Sequence, residues 1–241
     1  MKKILLFGAA FLFFFPLTIS ALTISAYEVP VGDLGSFETQ TNIKNWINGG
    51  QLSLIENFED NDYLGSHASL STNVGTFTAE GSAGTGTTSN GDVKFEVKSD
   101  IAGRINTTQG GSYYLDSADI TKITLDLLPG LSINKMFFFL SDPGDVGATT
   151  SVSTVTANAS LFDPDTVTSG QSSGSLWFVG IDAGSYDTIS KITWSTGTNT
   201  NDGFGLDDFT QVAAVPEPGT LLLLGTGLAG LALYRRRSMK K

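Results

Sequence analysis

Ile120-Thr121-Lys122-Ile123-Thr124-Leu125-Asp126-Leu127 alternates apolar and polar side chains with a period of two, and Val93-Lys94-Phe95-Glu96-Val97-Lys98 does the same. Successive side chains of a strand point to opposite faces, so each segment fits a strand with one buried and one wet face. Further strands are expected at Leu52 to Phe58, Val74 to Ala79, Ile133 to Leu140, Ser151 to Ala157, Leu176 to Ile181, Ile189 to Trp194 and Leu206 to Val212. Clusters of Gly, Ser, Asn and Asp separate them, the punctuation of many short antiparallel strands. Met136-Phe137-Phe138-Phe139-Leu140 is apolar on both faces and predicts a central strand covered on each side. Ile43, Trp46 and Ile47 have helical spacing ahead of Gly49 and Gly50, which predicts one short helix near residues 41–48. The expected fold is all-β, an antiparallel β-sandwich or jelly roll.

The two ends read differently. Lys2 and Lys3 precede Ile4 to Phe15, twelve residues without a polar side chain, and Pro16 and small residues follow. That is the layout of a secretory signal peptide, helical in its apolar part and too short for a comfortable membrane span. Leu-Thr-Ile-Ser-Ala occurs twice in tandem, at Leu17 to Ala21 and Leu22 to Ala26, and either alanine suits signal peptidase. Taking the second places the signal peptide at 1–26. At the other end Val215-Pro216-Glu217-Pro218 precedes an uncharged run, Gly219 to Tyr234, and then Arg235, Arg236 and Arg237. The run predicts a transmembrane helix over 219–234 with a basic tail at 235–241. Sixteen residues at ~1.5 Å each reach about 24 Å, so the arginines must snorkel or the bilayer must thin. The positive-inside rule keeps both basic ends in the cytoplasm and the middle of the chain outside it.

The charge supports this division. The chain carries 14 basic and 24 acidic side chains, yet residues 27–214 hold only seven of the basic ones against 23 acidic, a net of −16. A surface of that sign excludes nucleic acid as a partner. The absence of cysteine excludes thiol catalysis, disulfides and thiolate metal sites. A domain of 188 residues can bury a sufficient core without crosslinks.

Val215-Pro216-Glu217-Pro218, the Leu/Gly/Ala-rich run and the arginine cluster resemble, in that order, the PEP-CTERM sorting signal of Gram-negative bacteria. The resemblance covers about the last 27 residues. It implies recognition and cutting by a membrane-embedded exosortase, a cysteine transpeptidase, with an envelope, outer-surface or exopolysaccharide-associated destination. The prolines forbid helix at the boundary and keep Glu217 extended and open to a protease cleft. Met136 to Gly147, Leu176 to Ile181 and Asp202 to Phe209 are similar to an ectodomain that recurs among PEP-CTERM proteins, for which the resemblance implies no reaction.

Three chemical readings of residues 27–214 follow. Glu59, near the domain start, and Asp207 and Asp208, at its end, are candidate ligands of a structural Ca2+, because neighbouring first and last strands would bring their oxygens together. Trp194, flanked by Thr193 and Ser195, is the candidate platform for stacking on a sugar ring, which would make the protein similar to a carbohydrate-binding module. Trp177, inside an apolar strand, reads as core. Gly170-Gln171-Ser172-Ser173-Gly174 matches a hydrolase G-x-S-x-G string, but it leads from a loop into a strand where the chemistry needs a strand-to-helix elbow. His67, the single histidine, would have to serve as its base, and it reads instead as an exposed loop residue. The reading carried forward is a non-enzymatic exported protein of the envelope or exopolysaccharide matrix.

Overall fold

The computed structural model describes residues 22–86, 89–99, 103–144, 146–155, 158–162, 174–196, 202–214, 225–231 and 235. Most of the signal peptide expected at 1–26, the sorting motif Val215 to Pro218, and Arg236 and Arg237 lie outside the described residues. Within them, two antiparallel sheets face each other, as the strand pattern predicts. The first consists of β1 (Thr23–Glu28), β2 (Gln51–Glu56), β3 (Gly65–His67), β6 (Phe95–Lys98), β7 (Tyr114–Asp116), β9 (Lys135–Ser141), β12 (Leu176–Asp182) and β14 (Gly205–Ala213). The second consists of β4 (Ser69–Ser71), β5 (Gly75–Ala83), β8 (Ile120–Leu127), β10 (Thr149–Thr154), β11 (Asn158–Phe162) and β13 (Ile189–Ser195). Their orders are β1-β12-β9-β14-β7-β6-β3 and β11-β10-β13-β8-β5-β4.

β9 lies between β12 and β14, and both of its faces are covered. Met136, Phe138 and Leu140 enter the core between the sheets, where the Phe138 ring stacks on Phe209 at 5.2 Å and meets the Trp194 ring edge-on at 5.2 Å. Phe137 and Phe139 point the other way into a second apolar layer, closed by a 3-10 segment, Val31–Thr39, and by α1 (Thr41–Ile47). Phe37 meets Phe139 at 5.0 Å, and Trp46 meets Phe178 at 5.3 Å. Each buried ring here, Phe137, Phe138, Phe139 and Phe178 among them, contributes about 1.5–3 kcal/mol through area removed from water. A seven-residue helix cannot stand alone in water, so this layer is what holds α1 in place. Asn48, left-handed at φ 52°, ends the helix with its N–H donating to the Lys44 carbonyl.

β14 has two neighbours along one edge. β7 pairs with Gly205 and Leu206, whereas β2 pairs with Phe209 to Ala213. Between them, at Asp207 and Asp208, the register against β9 shifts and Asp208 turns left-handed at φ 51°. This bulge is where the strand changes partners.

β1 was not expected from the strand pattern. Residues 23–26, which the sequence reading assigns to the signal peptide, pair in register with β12, from Thr23 opposite Asp182 to Ala26 opposite Val179. Leu22, Ile24 and Ala26 pack against the main core, and the Tyr27 ring stacks on Phe178. At the other end of the chain, residues 225–231 are helical and exposed, and Arg235 is exposed. Among the described residues no helix is long and apolar enough to cross a membrane.

Candidate functional site

The acidic residues singled out in the sequence do meet, because β2 runs antiparallel to β14 and carries Glu59 toward the bulge. What they meet is the loop 106–113. Glu59 Oε1 accepts from Asn106 Nδ2 at 2.9 Å and from the backbone N–H groups of Ser112 at 2.8 Å and Tyr113 at 2.9 Å. Gly111 leaves room for that carboxylate, since a Cβ there would lie 2.2 Å from Glu59 Oε1 and push it off its donors. Asp207 Oδ2 accepts from Thr107 N at 2.7 Å, and its Oδ1 from Asp208 N at 2.9 Å. Asp208 Oδ1 accepts from the Thr108 hydroxyl at 2.6 Å.

The Thr107 hydroxyl lies 3.0 Å from Asp207 Oδ2 and 2.8 Å from Asp208 Oδ2. It has one hydrogen and can donate to only one of them, so a proton on the other carboxyl, donated to the Thr107 oxygen, satisfies the geometry. The electrostatics agree. Burial, followed by the neighbouring Asp208 charge, holds the Asp207 carboxyl well above the usual aspartate range. Burial also raises Asp208, with Thr108 and Thr107 opposing and Glu59 adding to the rise.

A calcium ion needs six to eight oxygens directed at one point. The oxygens of Glu59, Asp207 and Asp208 are instead directed at N–H and O–H donors, and among the described residues no group of three or more His, Asp or Glu side chains is arranged to hold a metal. These residues do not fit the ion expected of them. They form a clamp that ties the 106–113 loop across the β14 bulge. Asn106, Thr107 and Thr108 complete it, and nothing in their sequence marks them, because their partners are distant, 47 residues away for Asn106 and about one hundred for Thr107 and Thr108.

Trp194 is a second correction. Its residue is 0% exposed, wedged among Phe77, Phe138 and Phe209 between the sheets, so it presents no face to a sugar. Alternation along β13 places it inward with Ile192, and the polar neighbours Thr193 and Ser195 point the other way. Trp177 is core, as expected. His67, expected to be exposed, is half-buried: its ring tilts against Phe95, and Nε2 lies 2.6 Å from the Tyr63 carbonyl oxygen. Ser172 lies outside the described residues.

Two clefts open on the outer side of the first sheet. One, of about 380 Å³, is floored by Phe137 and Phe139, walled by Leu34, Phe37 and Leu54, and edged by Thr107, Thr108 and Asp208. The other, of about 410 Å³, lies at the end of β14, where Ala213 and Ala214 meet Asn48, Lys135, Asp182 and Ser185. The chain leaves the domain beside this second cleft. Thr23 pairs with Asp182, Asp182 with Lys135, and Gln211 with Met136, so β1 begins at the same end of the sheet at which β14 finishes.

Residues 214–237 match the family model described as the PEP-CTERM protein-sorting motif. No curated protein and no solved structure matches the chain.

Proposed function

We propose, from a chain that ends in a PEP-CTERM sorting signal directly after its last strand, that this is an exported, non-enzymatic β-sandwich protein on which an exosortase acts, destined for the exopolysaccharide matrix or outer surface. The match over residues 214–237 carries the reading. Such a signal implies an exported precursor, held in the membrane and sorted to the envelope. β14 ends at Ala213 and the motif begins at Ala214, so a cut near Pro216-Glu217-Pro218 leaves every described strand intact. The acidic domain, net −16 over residues 27–214, suits solubility outside the cell and repels anionic lipid. Glu217→Ala, and separately truncation after Ala214, should change both the mass of the mature protein and its distribution between membrane and medium in the native host. Unchanged mass and unchanged fractionation in both variants would overturn the reading.

A carbohydrate-binding role is the second reading, and the phenylalanine-floored cleft favours it. Phe37 is half-buried on its wall, with the Thr107 and Thr108 side chains and the Asp208 carboxylate at its edge, a mixture of apolar surface and hydrogen-bonding groups that suits a pyranose ring. Pull-down on the host's own exopolysaccharide should lose at least about tenfold in affinity on Phe37→Ala, a change of roughly 1.4 kcal/mol. Retention of the Phe37→Ala variant equal to the parent's would count against this reading.

A further inference from the structure

We infer that signal peptidase hydrolyses the Ala21–Leu22 bond, and that the mature protein begins at Leu22. The inference rests on the reading of residues 1–21 as an export signal. The two copies of Leu-Thr-Ile-Ser-Ala offer the peptidase the same five residues, so local sequence cannot choose between Ala21 and Ala26. Distance from the apolar run favours the first, which lies six residues beyond Phe15 where the second lies eleven beyond it. The fold separates them decisively. The second copy is strand β1: Thr23 to Ala26 pair with Asp182 to Val179, and Leu22, Ile24 and Ala26 pack on the main core. Cutting after Ala26 would leave only Tyr27 and Glu28 of a six-residue strand.

The loss would fall on β12. Its other edge is already bonded to β9, and β1 covers the edge that would otherwise be free. Leu176-Trp177-Phe178-Val179-Gly180-Ile181 is buried and carries no charge. An uncharged apolar edge strand of six residues is a template for pairing with other chains. Cleavage after Ala21 keeps the cover. It adds one water across the Ala21–Leu22 amide, leaving a carboxylate on Ala21 and a free amino group on Leu22, one residue before the sheet begins.

Terminal-peptide mass spectrometry of the exported full chain tests this. The expected amino terminus is Leu22. Tyr27 at the terminus would overturn the inference and leave the export reading standing; Met1 would overturn both, and neither result depends on the exosortase experiment. A second measurement addresses the physical reason. Deleting residues 22–26 from the full chain leaves one intact pentapeptide before Tyr27, so the deleted chain is still processed. Its mature product should melt lower by roughly 5 °C or more and self-associate. A product as stable and as monodisperse as the parent would overturn the inference.

Discussion

Trp194 sits between Thr193 and Ser195, and its neighbours in sequence suggest a wet strand face, whereas its neighbours in space are Phe77, Phe138 and Phe209. The difference is one of phase. Alternation puts Trp194 on one face with Ile192 and turns Thr193 and Ser195 to the other, and pairing with β8, which sets Trp194 opposite Ile123, makes the Ile192 face the dry one. Trp194→Ala should therefore act on stability before it acts on any ligand, costing about 3–5 kcal/mol through lost transfer energy and the cavity left behind. Chemical denaturation of the variant checks this, and an unchanged denaturation midpoint would mean that the ring is not core. Phe138 makes the same point from the other side. Its segment is apolar at every position, so burial on both faces was legible without knowing the register.

At the scale of elements, the segments with long unbroken patterns were readable. Ile120 to Leu127 is strand β8 to the residue, and the expected helix at 41–48 is α1. β3, β4 and β7 are three residues each, too short for a period to declare itself, and their pairing partners decide them. The β14 bulge was legible as an acidic pair but not as a clamp, because its donors come from a loop that carries no pattern of its own. Its titration follows from that burial. Asp207, Asp208 and Asp116 all have carboxyl groups raised above the ordinary range, each chiefly by burial. A raised carboxyl binds its proton more tightly folded than unfolded, so its stabilising contribution is full below the unfolded value of about 4 and is lost as pH rises through the folded value. Glu80, lowered first by its hydrogen bond from Lys122, works in the opposite sense, but the pair is exposed and screened. The thermal midpoint should thus fall as pH rises above about 4, and Asp207→Asn, which cannot bind the proton, should flatten the fall. A midpoint that rises over that range would contradict the assignment of the buried proton.

Across the whole molecule, the fold returns both ends of the domain to one side. Strand order β1-β12-β9-β14 separates the start of the first from the finish of the last by three strand spacings, about 14 Å at ~4.8 Å each. A precursor with an apolar segment at each end can therefore stand on a membrane from a single end of its sandwich, with no strand pulled out to reach it. With the proposed cleavage after Ala21, one copy of the tandem pentapeptide belongs to the chain that is removed and its duplicate to the sheet that remains. The sequence by itself determined the β class, the sorting signal and the division of charge between signals and domain, because periodicity, contiguous motifs and composition are local properties that survive without a fold. Only the tertiary structure decided that Trp194 is core, that Glu59, Asp207 and Asp208 hold a loop, and that residues 23–26 form a strand. Each of those depends on which distant segment lies alongside, 47 residues away for Glu59 and Asn106 and 100 for Asp207 and Thr107, and such pairing leaves no trace in either partner's neighbours.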